Sequence, residues 1–92
     1  MSDNLPTITV YTRPLCGYCR AAKQLLDSND YEFEEVRLDQ KPELTQQVML
    51  KSGQRTVPQI FVGEQSVGGF TELSQQISSG EFAELVQTLS GT

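Results

Sequence analysis

The chain has 92 residues, a length that accommodates one small domain with a modest hydrophobic core. Hydrophobic residues make up 37% of it and charged residues 21%, a composition too apolar for a disordered chain. Twelve acidic against seven basic side chains give a net charge of −5, the opposite of the balance in a general nucleic-acid binder. The absence of histidine excludes His-based metal sites and catalytic pairs, so covalent or redox chemistry must depend on the two cysteines.

Neither export nor insertion into a membrane is expected. Residues 1–6 carry no basic region and no apolar run, so they do not resemble a secretory signal. No apolar run approaches the roughly 18–20 residues of a membrane-spanning helix. We therefore expect a cytoplasmic protein. Thiols are kept reduced in the cytoplasm, and a close cysteine pair there is more often catalytic or metal-binding than structural.

The chain begins with a predicted strand and helix. β-Branched and aromatic residues alternate over 7–12 and predict a strand, which ends near Pro14 because proline cannot donate to a ladder. Apolar residues at helical spacing then predict a helix over 17–28. Asn29 is a candidate for the left-handed residue that ends this helix.

A second strand is predicted over 32–39. Its apolar residues do not share one phase, because Phe33 is at an odd position while Val36 and Leu38 are at even positions. We therefore expect its pairing to start late or to contain a bulge.

The middle of the chain predicts a helix followed by a hairpin. Pro42 suits the first turn of a helix, and Ser52-Gly53 suits its end. Residues 59–62 predict a short strand, and the turn at 63–64 leads into a further strand over 66–68.

Two helices complete the predicted order. After Gly69, Thr71 is suited to cap a short helix that is broken at 78–80, and helical spacing predicts the last helix over 82–89. The order β-α-β-α-β-β-α-α contains βα units that imply a parallel strand pair and a hairpin that adds antiparallel strands. We predict an α/β fold with helices on both faces of a mixed sheet.

The motif Cys16-Gly17-Tyr18-Cys19 lies where the first predicted helix begins. Cys16 is expected in the first turn, where unpaired N–H groups and the helix dipole stabilise a thiolate. Only a thiolate attacks a disulfide, so Cys16 is the predicted nucleophile. Cys19 lies one turn further along and suits the resolving role.

Three other interpretations of the cysteine pair remain open at this point. The pair could form a structural disulfide, although so short a loop gains little from chain entropy. It could supply half of a zinc site shared between two chains, because a tetrahedral site needs two further ligands. The two cysteines could also be small buried apolar residues.

Three motifs in one order make the chain resemble a dithiol glutaredoxin. They are YTR followed by CGYC over 11–19, TVPQIF over 56–61 and GGFTE over 68–72. The resemblance extends over residues 7–89. It implies the thioredoxin fold in its minimal form, a four-stranded mixed sheet flanked by helices, and a single glutaredoxin domain over 1–92.

The resemblance also implies a site for glutathione beside the cysteines. In the family, the Val57–Pro58 peptide bond is cis, and the Val57 backbone pairs with the extended peptide. Thr71 and Glu72 then hold the γ-glutamyl end at a helix N-terminus. The complete set of implied glutathione-binding residues is Arg13, Tyr18, Thr56, Val57, Pro58, Gly69, Phe70, Thr71 and Glu72.

Charge is distributed unevenly along the chain. Residues 1–26 hold three basic side chains and one acidic side chain, a net charge of +2, whereas residues 27–92 carry −7. A locally basic surface favours the thiolate and attracts an anionic peptide. Arg13 is the first candidate for the glycine carboxylate of glutathione, and Arg37 and Arg55 are further candidates.

These observations predict a glutathione-dependent thiol–disulfide oxidoreductase that reduces protein disulfides and glutathione mixed disulfides. Glutathione would be the reductant, the protein would be a monomer, and neither nucleic acid nor membrane would be a partner. One alternative is a dimer bridged by a [2Fe–2S] cluster on Cys16 and glutathione, since Gly17 replaces the proline common in the family. Another is a redoxin that takes electrons from thioredoxin reductase.

Overall fold

The computed structural model describes residues 6–89, which form four strands and four α-helices. In chain order the elements are β1 (Ile8–Thr12), α1 (Gly17–Ser28), β2 (Glu34–Arg37), α2 (Thr45–Ser52), β3 (Gln59–Val62), β4 (Gln65–Gly68), α3 (Phe70–Ser79) and α4 (Glu81–Thr88). A 3-10 turn over Pro42–Leu44 leads directly into α2. The predicted order of elements is confirmed. Among residues 6–89, no helix has the length and apolar character needed to cross a bilayer.

The strands form one mixed sheet in the order β2-β1-β3-β4. β1 is parallel to β2, with Thr9 opposite Glu34, and antiparallel to β3, with Tyr11 opposite Gln59. β3 and β4 are antiparallel, with a shift in register between Ile60 and Phe61. The four-stranded mixed sheet is the one expected from the resemblance. β1 and β3 are antiparallel neighbours, so the end of β1 lies beside the start of β3. The loop after β1 and the loop before β3 therefore meet at the same end of the two strands.

Helices cover both faces of this sheet, as predicted. The larger core lies under α1, α3 and α4 and consists of Ile8, Val10, Ala22, Leu26, Ile60, Val62, Val67, Leu73 and Phe82. The smaller core lies under α2 and consists of Leu38, Val48 and Phe61. The period of two along a strand divides the residues between the cores: Ile60 points to the larger core and Phe61 to the smaller one. Burial on both faces fixes α1 against the sheet and thereby the position of the cysteines.

The second strand is shorter than predicted because pairing starts only at Glu34. The expectation of a late start is confirmed. Phe33 packs against the larger core, and Leu38 belongs to the smaller core. The apolar residues of this segment differ in phase because they serve opposite faces of the sheet.

The prediction for the end of α1 was wrong by one residue. Asn29 has φ −104, and the left-handed residue is Asp30, with φ 64. Asn29 instead closes the helix with its side chain, because its Nδ2 donates to the carbonyl of Leu25 over 2.8 Å. The predicted ends at Gly53 and Gly80 are confirmed, and both glycines are left-handed.

Candidate active site

The two cysteines lie at the start of α1, next to the end of β1. Cys16 immediately precedes the helix, one position earlier than predicted, and its Sγ accepts a hydrogen bond from the Cys19 N–H over 3.1 Å. Cys19 lies in the first turn and is 3% exposed, whereas Cys16 is half-buried. The two are joined by a disulfide, with their Cα atoms 5.2 Å apart. An N–H at the positive end of a helix stabilises negative charge on the sulfur that it faces, so the geometry favours a thiolate at Cys16.

The loop before β3 faces Cys16. The Sγ of Cys16 lies 4.0 Å from the carbonyl oxygen of Val57, and the Val57–Pro58 peptide bond is cis, as the resemblance implies. Pro58 is buried and Val57 half-buried. No acceptor within residues 6–89 pairs with the main-chain N–H of Val57. This N–H is therefore available to an extended peptide lying beside the sulfur.

A groove of about 450 Å³ adjoins the cysteines. Eight of the nine residues implied for glutathione line it, together with Gln54: the set is Tyr18, Gln54, Thr56, Val57, Pro58, Gly69, Phe70, Thr71 and Glu72. Arg13, the ninth, does not line the groove. Gln54 was not predicted, and its proximity to the TVP motif is the only signal in the sequence that pointed to it.

One wall of the groove is aromatic. The rings of Tyr18, on α1, and Phe70, on α3, lie with their centroids 5.8 Å apart and their planes inclined by 33°. Tyr18 remains 67% exposed. These rings offer a flat apolar surface next to the cysteine pair.

The groove also includes the start of α3, where the predicted capping role of Thr71 was wrong. The helix begins at Phe70, so Thr71 already lies inside the first turn and is exposed. Glu72 closes the turn instead, because its Oε1 accepts from the Gly69 N–H over 2.9 Å. A carboxylate in this position satisfies a helix-terminal donor and interacts favourably with the dipole.

The Glu72 side chain also requires glycine at position 68. Gly68 has φ 119, and a Cβ there would lie 2.9 Å from the Cγ of Glu72. The close approach of backbone and carboxylate thus depends on the absence of a side chain.

Gln54 is held in the groove by its backbone. The Nε2 of Gln59 donates to the Gln54 carbonyl over 3.0 Å, and the Gln54 N–H donates to the Oγ of Ser52 over 3.0 Å. Gln59 is 1% exposed, and its Oε1 has no hydrogen-bond partner within residues 6–89. A buried amide therefore anchors the loop that carries Val57 at the cost of one unpaired acceptor.

The charges near the cysteines are fewer than the sequence implies. Lys23, on α1, donates to both carboxylate oxygens of Glu35 over 3.0 Å. The buried hydroxyl of Thr12 donates to Glu35 over 2.7 Å, and this bond, supported by Lys23, lowers the pKa of Glu35. The positive charge of Lys23 is thus largely compensated.

Arg37 is also engaged. Its guanidinium donates to the two carboxylate oxygens of Asp39 over 2.8 and 2.7 Å, which lowers the pKa of Asp39 and raises the pKa of Arg37. Arg13 and Arg20 are exposed, and neither has an ion pair within residues 6–89. Arg20 supplies uncompensated positive charge in the segment around the cysteines, whereas the charge of Arg13 also acts on Asp39 and contributes to the lowered pKa of that carboxyl.

Comparison with known proteins indicates the same family as the residues of the site. The glutaredoxin family model matches residues 8–67. A curated glutaredoxin from Pseudomonas aeruginosa is 40% identical over 82 residues, which cover 89% of this chain and 98% of the relative.

Two solved structures extend the comparison to the fold. The solution structure of glutaredoxin from Brucella melitensis matches with a TM-score of 0.79 and 38% identity, covering 92% of each chain. A crystal structure of a buckwheat glutaredoxin–glutathione complex matches with a TM-score of 0.81 and 25% identity, covering 91% of this chain and 79% of that one.

The chain therefore belongs to the glutaredoxin family, with the thioredoxin fold and a redox-active Cys16–Cys19 pair. It is a dithiol glutaredoxin, and its activity is that of a thiol–disulfide oxidoreductase.

Proposed function

We propose that this glutaredoxin uses glutathione to reduce glutathione mixed disulfides and protein disulfides. The observation that carries the proposal is the groove beside Cys16, which is lined in part by Val57. The Val57 N–H has no partner within residues 6–89. A tripeptide with a central cysteine pairs with an extended backbone of this kind and presents its sulfur to Cys16. The similar fold of the buckwheat protein, which was solved with glutathione, supports the same reading.

The groove suggests how glutathione would lie. The start of α3 suits the γ-glutamyl end, where Thr71 offers a hydroxyl and the second oxygen of Glu72 offers an acceptor for an ammonium group. Tyr18 and Phe70 flank the cysteinyl portion. Arg13 remains our candidate for the glycine carboxylate and would have to reach it from outside the groove.

Cys16 is the proposed nucleophile. Its thiolate attacks the glutathionyl sulfur of a mixed disulfide, the substrate's S–S bond breaks, and the substrate thiolate leaves and takes a proton from water. The resulting Cys16–glutathione disulfide is attacked by a second glutathione thiolate, which releases oxidised glutathione and restores Cys16. With a protein disulfide, the Cys16 thiolate attacks one sulfur, breaks the S–S bond and forms a mixed disulfide with the protein. Cys19 then attacks the Cys16 sulfur, releases the reduced protein and leaves a Cys16–Cys19 disulfide. Two glutathiones reduce this disulfide and leave as oxidised glutathione. The burial of Cys19, its disulfide to Cys16 and the contact from its N–H to the Cys16 Sγ fit this resolving role.

We further propose that the chain is a single glutaredoxin domain over 1–92, with its core over 7–89, that it acts in the cytoplasm, and that the enzyme form is a monomer. The continuous sheet supports the single domain, and a catalytic pair that depends on reducing surroundings supports the location. The groove is lined by residues of one chain, which supports the monomer.

The test is the choice of reductant. Turnover of a small glutathione mixed disulfide is measured with glutathione and glutathione reductase in one assay, and with thioredoxin reductase in another. Turnover in the first assay alone supports the proposal. Turnover with thioredoxin reductase and none with glutathione would overturn it.

A second candidate function is a [2Fe–2S] dimer, and the observation that favours it is the open surface at Gly17. Gly17 is exposed, and a Cβ placed there would meet no atom of residues 6–89 within 4 Å beyond its adjacent residues and its own helix backbone, so a second chain has room to approach Cys16. Within residues 6–89 no group of three or more acidic, Cys or His side chains is arranged to hold a metal, so further ligands would have to come from glutathione and a second chain. Anaerobic reconstitution with iron, sulfide and glutathione tests the candidate: a coloured dimer supports it, and a colourless monomer contradicts it.

A further inference from the structure

Leu15, immediately before Cys16, is in an unfavourable state in the free protein. Its side chain is fully exposed, and its backbone has φ 58, in the left-handed region that favours glycine or asparagine. An exposed apolar side chain gains nothing from burial. Unfavourable backbone of this kind concentrates at functional sites, so the position calls for a functional explanation.

The Leu15 side chain lies outside the groove proposed for glutathione. The groove is lined by α1, the loop before β3 and the start of α3, and Leu15 is not among the lining residues. The contacts proposed above for glutathione, in the groove and at Arg13, do not include Leu15. What remains to contact it is the other half of a mixed disulfide, which is the protein whose cysteine is being released.

Positive charge lies at the other end of the motif, directly after Cys19. Arg20 is one helical turn beyond Cys16, and its N–H donates to the Cys16 carbonyl over 3.2 Å. Its guanidinium is exposed and has no ion pair within residues 6–89, in contrast to Lys23 one turn further along. On a protein of net charge −5, an uncompensated arginine beside the reactive sulfur attracts carboxylates rather than basic segments.

We propose that Leu15 and Arg20 form a contact surface for protein substrates and select segments whose glutathionylated cysteine is flanked by an apolar residue and a carboxylate. The inference rests on the proposed glutathione-dependent function. In the step it governs, the Cys16 thiolate bonds to the glutathionyl sulfur, and the electron pair of the broken S–S bond leaves on the peptide cysteine. The contacts to Leu15 and Arg20 position the leaving thiolate and add to the affinity for the substrate protein.

The experiment compares three substrates under the same glutathione-coupled assay. The first is a short peptide with a glutathionylated cysteine between leucine and glutamate. The second is the same peptide with serine and lysine in those places, and the third is the mixed disulfide of glutathione with free cysteine. The protein is expected to have a kcat/KM about fivefold higher for the first peptide than for the second, a preference that declines as salt is added.

The variants separate the two contacts. Leu15→Asn and Leu15→Gly both suit a left-handed backbone, so the fold is retained while the apolar contact is lost. Each is expected to lower kcat/KM for the leucine–glutamate peptide about threefold to tenfold and to leave the cysteine mixed disulfide unchanged. Arg20→Gln is expected to lower the ratio of kcat/KM between the two peptides and to abolish its dependence on salt, while the part due to leucine is retained.

The outcomes are distinct from those of the proposed function. Two outcomes would overturn the proposed contact surface but not the proposed function. One is an equal kcat/KM for the two peptides. The other is a decrease in kcat/KM in the Leu15 variants that is as large for the cysteine–glutathione disulfide as for the leucine–glutamate peptide. Absence of any turnover with glutathione would overturn the proposed function and the inference with it.

Discussion

The Sγ of Cys16 lies 4.0 Å from the main-chain carbonyl oxygen of Val57, although 41 positions separate the two residues in the sequence. The antiparallel pairing of β1 and β3 produces this proximity, because it places the end of β1 beside the start of β3. The loop that carries Val57 is in turn anchored by the bond from Gln59 to the Gln54 carbonyl. The reactivity of the Cys16 sulfur and the binding of a peptide in the groove therefore depend on the hydrogen bond that fixes the position of this loop.

Replacement of Gln59 by leucine tests the anchor. The substitution removes the bond to Gln54, and it also removes an acceptor that is buried without a partner, an arrangement that costs about 1–3 kcal/mol. We expect the KM for glutathione to rise about fivefold while the free energy of unfolding does not fall. Steady-state kinetics and urea unfolding measure the two quantities.

Ile60→Val is the matched control, because Ile60 is the next residue of the same strand and points to the larger core. It is expected to cost about 0.5–1.5 kcal/mol of stability and to leave the KM unchanged. Parallel changes of stability and KM in both variants would show that Gln59 has no separate role in positioning the loop.

Alanine substitution at three glycines tests the close approach at the start of α3. Gly17 does not have a left-handed backbone, and a Cβ there would approach no non-adjacent side chain of the described residues within 4 Å. Ala should therefore change the free energy of unfolding by no more than about 0.5 kcal/mol. Gly53 is left-handed but open, and Ala should cost about 1 kcal/mol. Gly68 combines positive φ with the contact to Glu72, and Ala should cost about 2 kcal/mol or more.

Urea unfolding of the three variants gives the ranking directly. The Gly68 variant should also bind glutathione more weakly, because a displaced Glu72 no longer closes the first turn of α3. A Gly68→Ala protein as stable as Gly53→Ala would contradict the account of this contact.

The acid side of the stability profile tests the network of Thr12, Lys23 and Glu35. Hydrogen bonding by Thr12, then by Lys23, lowers the pKa of Glu35 in the folded protein. A lowered pKa stabilises the fold above the ordinary glutamate pKa, about 4.3, and this stabilisation is lost as the pH falls through the folded value. Thr12→Val should therefore reduce stability by about 1 kcal/mol at neutral pH, with the difference from the unmodified protein shrinking below pH 4.

Lys23→Met serves as the comparison, since Thr12 is the larger cause of the shift in pKa. Its effect at neutral pH should be smaller than that of Thr12→Val. Unfolding free energies measured from pH 7 to pH 2 follow both differences. If the difference in unfolding free energy between Thr12→Val and the unmodified protein is constant with pH, Glu35 does not contribute to the loss of stability in acid.

Much of the fold could be predicted from the sequence, because strong local signals agree with the tertiary structure. The alternation in 7–12 and the helical spacing after 82 correspond to elements whose apolar residues are buried in the larger core. The errors lie where a side chain competes with the backbone. Asn29 closes α1 with its amide, which left Asp30 in the left-handed region, and Glu72 replaces Thr71 at the start of α3.

The site was predictable through its motifs but not through its charges. The cysteines and the TVP segment carry recognisable patterns, and the sheet brings them together as the resemblance implies. The ion pair between Lys23 and Glu35 joins residues of α1 and β2 that are distant in sequence, so counting charges along the chain overstated the positive charge near Cys16. The groove position of Gln54 depends on a buried contact to Gln59, which no local pattern encodes.

The central claim is that the Cys16 thiolate is the nucleophile of a glutathione-dependent reaction, and the most direct measurement compares two serine variants. Cys16→Ser and Cys19→Ser are assayed for reduction of a glutathionylated peptide with glutathione as the reductant. Cys16→Ser is expected to have no turnover, whereas Cys19→Ser is expected to retain it, because only the reduction of protein disulfides needs the resolving thiol. Turnover by Cys16→Ser, or its loss in Cys19→Ser with the fold intact, would contradict the assignment.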